Sequence, residues 1–216
     1  MSNVYGFTGV MGSGKSTIAL VLKDIFLNYF IDLHIIEIDI IRRYILWEST
    51  EKNHILIQRQ IAKTFNFKDT NHLEILDRNN LSSCIFKNKN NMAQFSLLIT
   101  PYIKDEIKKI ISNHDNNLIV WSYLVEEKYD EFLNNPLFFS HCSEQNCYQR
   151  LIEQSVRQKD NLPLEEVFQR IKNSSTYEEK IKICKNKNIK YFEINNNLFD
   201  LEAIIFLVEQ VLKIKK

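Results

Sequence analysis

Glycine is scarce in this chain: four occur in 216 residues, and Gly9, Gly12 and Gly14 share one nine-residue stretch. Proline is scarcer still, at three, and no repeat or long linker interrupts the sequence. The four cysteines are Cys84, Cys142, Cys147 and Cys184. Only Cys142 and Cys147 lie close together, without C-x-x-C spacing or nearby paired histidines, which argues against zinc. Reduced thiols in a cytoplasmic protein are therefore expected. Charge of either sign is not in excess: the formal net charge of +1 supplies no global field for nucleic acid or membrane. No apolar run reaches the length of a membrane helix, and no signal-peptide pattern opens the chain. Oligomeric state is not legible.

What is present is a soluble globular composition, 44% hydrophobic and 25% charged, in a chain long enough to bury a core. The stretch Gly9-Val10-Met11-Gly12-Ser13-Gly14-Lys15-Ser16-Thr17 fits G-x-x-x-x-G-K-[ST]. A short apolar strand, Val4 to Thr8, precedes it, and helical apolar spacing from Ile18 to Leu27 follows. Strand, glycine loop and helix is the context this phosphate-binding pattern requires. Gly12 and Gly14 let the backbone approach phosphate oxygens, and successive N–H groups then face the anion. Val10, Met11, Ser13 and Thr17 belong to this cradle. Lys15 is placed to reach the β- and γ-phosphates of ATP, and the Ser16 hydroxyl to ligate Mg²⁺.

Further strands are expected at Leu33–Asp39, Asn117–Trp121, Leu137–Ser140 and Lys190–Ile194, alternating with helices. That alternation predicts an α/β fold: a three-layer sandwich with a five-stranded parallel sheet. The expected organisation is a single domain over 1–216. Its nucleotide-binding core comprises 1–40, 114–148 and 186–216. A helical acceptor subdomain occupies 41–113, with Pro101 starting or kinking a helix, and a lid with its following helix covers 149–185.

Ligands of such sheets bind at the carboxyl ends of the strands, where the phosphate loop, Asp39 and Ser122 fall. Asp39 closes the second strand, expected to neighbour the first, and is the candidate to orient or deprotonate an acceptor hydroxyl. A helix N-cap is its competing role, since Ile40-Ile41-Arg42-Arg43 follows. Arg42, Arg43, Arg78, Arg150, Arg157, Lys159 and Arg170 supply cations for phosphate. Those from Arg150 to Arg170 surround a polar break, as in a lid that excludes water. The histidines are scattered and carry no assigned role. The third strand lacks a terminal Asp, which counts against a motor ATPase or GTPase.

In its order of motifs the chain resembles the dephospho-coenzyme A kinase family. Thr8 to Thr17 is similar to T-G-G-I-G-S-G-K-S-T, and Glu37-Ile38-Asp39-Ile40-Ile41-Arg42-Arg43 to D-A-D-x-I-A-R. Leu76-Asp77-Arg78-Asn79-Asn80-Leu81, then Ile85-Phe86, resembles L-D-R-x-x-L with its I-F. Thr100-Pro101-Tyr102-Ile103 stands where H-P-x-I is usual. Trp121 to Glu126 resembles V-P-L-L-x-E, Gln149-Arg150-Leu151 the lid segment, and Ile194 to Asn197 the V-I-x-N stretch.

The resemblance implies a P-loop kinase that uses ATP and Mg²⁺ to phosphorylate the ribose 3′-hydroxyl of dephospho-CoA, the last step of coenzyme A synthesis. Asp39 would be the base and Arg150 would steady the phosphoryl group, with Asn195 beside the nucleotide. Arg42, Arg78, Thr100 and Ser122 would meet the acceptor, and Arg157 or Lys159 would be the second lid cation. Glu37, Thr100 and Trp121-Ser122-Tyr123 depart from the pattern. A nucleoside or nucleotide kinase, or a nucleotide-binding regulator with a decayed acceptor site, are the competing readings.

Overall fold

A computed structural model describes residues 2–67, 76, 78–157 and 164–213. The chain packs as two compact units, one of Met1–Glu37 with Lys109–Lys216 and one of Ile38–Lys108.

The first unit holds five parallel strands: β1 (Asn3–Gly9), β2 (His34–Glu37), β3 (Asn116–Val120), β4 (Leu137–His141) and β5 (Tyr191–Asn195), in the order β2-β3-β1-β4-β5. The expected adjacency of the first two strands is corrected: β2 pairs with β3, which lies between it and β1. The reason is burial on two faces. Leu118, Ile119 and Val120 form a continuous apolar run that is wholly buried, as an inner parallel strand requires, whereas His34 and Glu37 leave β2 only partly buried at the edge. β1 is therefore central, with β3 and β2 on one side and β4 and β5 on the other. Its carboxyl end is the topological switch point of the sheet.

Alternation distributes the strand side chains between two layers. Tyr5, Phe7, Leu118 and Phe138 join a core completed by Ile18, Leu22 and Phe26 of α1 (Lys15–Asn28) and by Ile204 and Val208 of the terminal helix Leu201–Leu212. Phe139 points the other way and meets Tyr177, edge to face at 5.5 Å, on the helix Tyr177–Asn186.

Turns are made almost without glycine. Phe30 and Asn188 adopt φ near +60° and +55° in this unit, and Asn66 +56° in the other. At each, two successive backbone bonds close the helix end, for example Phe30 N–H to Leu27 C=O (2.9 Å) and Ile31 N–H to Phe26 C=O (3.0 Å). This is the Schellman arrangement, whose left-handed position usually holds glycine.

The second unit is helical. α2 (Ile38–Arg43) passes into a π-helical turn, Tyr44–Glu48, and then come α3 (Lys52–Thr64), α4 (Arg78–Phe86) and α5 (Lys89–Ser112). Ile45, Leu46, Ile57, Ile61, Phe95 and Ile99 are buried. The Ile45 carbonyl, in the π turn, accepts from the buried Gln58 amide at 2.7 Å. Asp39 lies in the first turn of α2 and not at a strand end, because β2 stops at Glu37. Pro101 does not start α5, which runs through it. The carbonyl of residue i−4 that loses its partner belongs to Leu97, which is 78% exposed, so water can take the lost donor's place. The expected polar loop over 69–77 lies, but for Leu76, outside the described residues. α6 (Glu144–Arg157) and α7 (Leu164–Asn173) return to the first unit. Numbering on from these, Tyr177–Asn186 is α8 and Leu201–Leu212 is α9. Among the described residues, no helix is long and apolar enough to cross a membrane.

Candidate active site

The loop Val10–Gly14 joins β1 to α1 at the carboxyl end of the central strand. Gly12 and Gly14 have φ +78° and +83°, left-handed values that a Cβ would oppose. Gly14 is the N-cap of α1, and no side chain caps it. The helix's own bonding begins with Ile18 N–H to Gly14 C=O at 3.0 Å. The amides of Lys15, Ser16 and Thr17 thus open the helix ahead of any backbone acceptor, a geometry suited to an anion.

Partners from distant segments hold this loop. Ser13 Oγ lies 2.5 Å from Ser140 Oγ of β4, and both residues are fully buried. Asn196, just past β5, donates its amide to the Ser13 carbonyl at 2.8 Å. Arg150 of α6 donates from Nη2 to the Asn196 carbonyl at 2.8 Å. Its Nη1 is buried with no hydrogen-bond partner among the described residues, and a Cβ built on Gly14 would lie 3.6 Å from it. A buried guanidinium nitrogen in that condition is costly unless an anion satisfies it. Lys15 Nζ donates to the Val10 carbonyl at 2.8 Å. Val10 and Met11 complete the loop, half-buried.

Ser16 donates its hydroxyl to Glu37 Oε2 at 3.3 Å. Glu37 ends β2, so this pair supplies one hydroxyl and one carboxylate oxygen beside the helix N-terminus. Magnesium takes a donor set of this kind, keeping waters and phosphate oxygens for its remaining positions. Sequence reasoning assigned no carboxylate beside Ser16. The available signal is Glu37's place at the end of an apolar run; its approach to Ser16 depends on the strand order.

Ser122, after β3, is fixed through its carbonyl. Thr8 Oγ1 donates to it at 3.2 Å, and Lys180 Nζ donates to it as well. Lys180 is 1% exposed and pairs with Glu126, a buried charge matched by an opposite one.

Asn196, and not Asn195, touches the P-loop; Asn195 accepts from Asn197. Asn196 is buried and Asn195 exposed. Both line a cavity of about 470 Å³ with Leu198, Asp200, Phe206 and Leu207.

The other expected residues belong to the second unit or the lid. Asp39, half-exposed, accepts from Arg42 Nη2 at 2.5 Å. Thr100 is half-buried on α5. Arg78 is in α4, Arg157 ends α6 and Arg170 is in α7, but their side chains lie outside the described residues, as does all of Lys159. The histidines prove less scattered than their numbering: His54 meets Glu51 and Glu106, with ligand atoms all within 4.8 Å, and His34 stacks on His114 at 3.8 Å.

A dephospho-CoA kinase family model matches residues 3–190. The dephospho-CoA kinase of Aliivibrio fischeri is 30% identical over 139 residues, 63% of this chain and 71% of that protein. That of Fusobacterium nucleatum is 28% identical over 200 residues, 92% of each. Among solved structures, TT1252 from Thermus thermophilus covers 100% of this chain and 99% of its own at TM-score 0.67 and 17% identity. Dephospho-CoA kinase from Campylobacter jejuni covers 98% of both chains at TM-score 0.58 and 19% identity. At such identities these structures speak for the fold.

Proposed function

The chain belongs to the dephospho-CoA kinase family, and from that premise we propose how its residues divide the work. The reaction is ATP-dependent phosphorylation of the ribose 3′-hydroxyl of dephospho-CoA, giving CoA and ADP. The observation that carries the residue assignment is the loop of Gly12 and Gly14 with the buried Nη1 of Arg150 beside it, which has no partner among the described residues.

The amides of Lys15, Ser16 and Thr17 and the Lys15 ammonium bind the ATP phosphates. Arg150 binds the transferring phosphoryl and is held for it by the Asn196 carbonyl. Ser16 and Glu37 would hold Mg²⁺, which would supply positive charge to the phosphate oxygens. The cavity lined by Asn195, Asn196 and Phe206 receives the nucleoside end of ATP. Asp39 orients or deprotonates the acceptor hydroxyl, with Arg42 fixing its carboxylate. Arg78, Thr100 and Ser122 contact the acceptor, and the α6–α7 segment serves as a lid, with Arg157 or Lys159 as its second cation. The free thiols of Cys84, Cys142, Cys147 and Cys184, none in a disulfide, agree with a cytoplasmic enzyme.

The test is ADP release from ATP and Mg²⁺ with and without dephospho-CoA, using Lys15→Ala as control. Dephospho-CoA-dependent ADP that is lost in the variant is expected, with CoA as the second product. ADP formed only with nucleosides or nucleoside monophosphates would overturn the acceptor assignment.

A further inference from the structure

α6 starts on Ser143. The Ser143 hydroxyl accepts the Asn146 N–H at 3.3 Å, and its carbonyl accepts the Cys147 N–H at 3.0 Å. Cys142 therefore stands just before the cap and Cys147 at the fourth helical position. Apolar residues at those two positions commonly pack on each other and fix the angle at which the chain enters a helix. Here both are thiols, and their sulfurs lie 2.8 Å apart.

This staple sits against the phosphate loop. Cys142 Sγ is 3.9 Å from the Gly12 carbonyl oxygen. A Cβ built on Gly12 would fall 3.0 Å from the Cys147 carbonyl carbon and Cα. Arg150 follows Cys147 by one turn on the same helix. The two remaining cysteines, Cys84 and Cys184, have no such partner sulfur among the described residues.

We infer that Cys142 and Cys147 are an oxidisable pair whose disulfide weakens nucleotide binding. The inference rests on the P-loop being the ATP site. Cys142, partly exposed, is the sulfur that meets a peroxide. Its thiolate attacks one peroxide oxygen, the O–O bond breaks, and the leaving oxygen takes a proton and departs as water or an alcohol. Cys142 becomes a sulfenic acid. Cys147 then attacks that sulfur, the S–O bond breaks, and water leaves with the thiol proton. Two thiols are oxidised by two electrons and one peroxide is reduced. Burial pushes the Cys147 thiol up to about 12, which keeps it inert to peroxide; its role comes from its closeness to Cys142.

The bond draws the sulfurs together to about 2.05 Å and removes the Cys142 proton that faces the Gly12 carbonyl. Gly12, already in left-handed backbone with Cys147 against its α-carbon, has no room to follow. The displacement passes to the loop amides and to Arg150.

The full chain, reduced, is titrated with hydrogen peroxide. The tryptic peptide Tyr129–Arg150, which contains both cysteines, is weighed, and ATP binding is measured by calorimetry before and after. The expected result is a peptide lighter by two hydrogens and an ATP Kd raised about tenfold, restored by dithiothreitol and absent in Cys142→Ser. Coupling is reciprocal, so saturating ATP shifts the pair's reduction potential by about 30 mV for that tenfold change. Failure of the reduced protein to bind ATP would overturn the nucleotide reading itself. ATP binding by the reduced protein, with no disulfide formed or with Cys142 carried on to a sulfinic acid, would overturn the pair. A disulfide that leaves Kd unchanged would reduce the contact to a packing staple.

Discussion

The carboxyl end of the sheet and the helical unit Ile38–Lys108 hold their functional residues in different ways. At the sheet, the loop after β1, β4, the residue after β5 and α6 each send one group into a single hydrogen-bonded knot: Ser13, Ser140, Asn196 and Arg150. Much of what is proposed to bind phosphate there is backbone, so side-chain identity matters mainly where it permits the backbone path. In the helical unit the assigned groups are side chains on helix surfaces. Asp39 and Arg42 lean on each other one turn apart, and Thr100 stands half-buried on α5. A site made of backbone tolerates few residue types, while a site made of surface side chains can exchange them singly. The departures from the family pattern fall on both sides of this division: Glu37 and Trp121-Ser122-Tyr123 stand at strand ends of the sheet and Thr100 on α5. The loop from Thr8 to Thr17 stays close to the pattern.

The contrast can be broken by substitution, and the largest effect belongs to the sheet. Lys15→Ala should lower kcat about 10³-fold or more, since its charge acts on the phosphates as they transfer; ADP and CoA formation would be followed together. Asp39→Asn should lower kcat about 10²-fold or more while ATP affinity by calorimetry stays at the wild-type value. Near-wild-type turnover in that variant removes the base assignment. Gly12→Ala acts on structure before chemistry. With φ at +78° and the Cys147 backbone against the new methyl, it should cost about 2 kcal/mol of stability, read by urea unfolding, together with a large loss of ATP affinity.

The smallest effect is a pH dependence away from both sites. Burial lowers the His34 pKa from its ordinary 6.5, helped by stacked His114 and by Lys23 and opposed by Asp32. The unfolded chain then binds the extra proton first. The stabilising contribution is full above pH 6.5 and is lost as pH falls below it toward the folded value. In His34→Gln the unfolding free energy should lose that part of its acid slope, by about a few tenths of a kcal/mol per pH unit. An unchanged slope would assign the effect to other groups.

The legible parts of the molecule are those whose evidence is contiguous. The glycine loop, its strand and its helix could be read because the whole device lies within one local segment. The apolar runs Leu118-Ile119-Val120 and Leu137-Phe138-Phe139 announced inner strands by the same logic. What escaped depends on which strand ends stand side by side. Glu37 reaches Ser16 and Ser140 reaches Ser13 only once the order β2-β3-β1-β4-β5 exists. Nothing near either residue in sequence encodes that order. Asn196, one residue past the expected Asn195, is the one that bonds the Ser13 carbonyl, a contact that depends on where β5 ends. The expected strand runs on to Asp39 because an apolar run of Ile residues does not show where extended backbone gives way to helix.

The glycine-poor turns lead somewhere different. Phe30 closes α1 in left-handed backbone with its ring 97% exposed, so the fold tolerates strain at a position where it gains no packing in return. In a saturation mutational scan the two kinds of left-handed residue would separate cleanly by sign. Glycine entering at Phe30, Asn66 or Asn188 would raise the melting temperature, whereas any residue leaving glycine at positions 12 or 14 would lower it. The chain thus holds thermal stability in reserve at its helix ends, reachable by single substitutions that leave the catalytic machinery untouched.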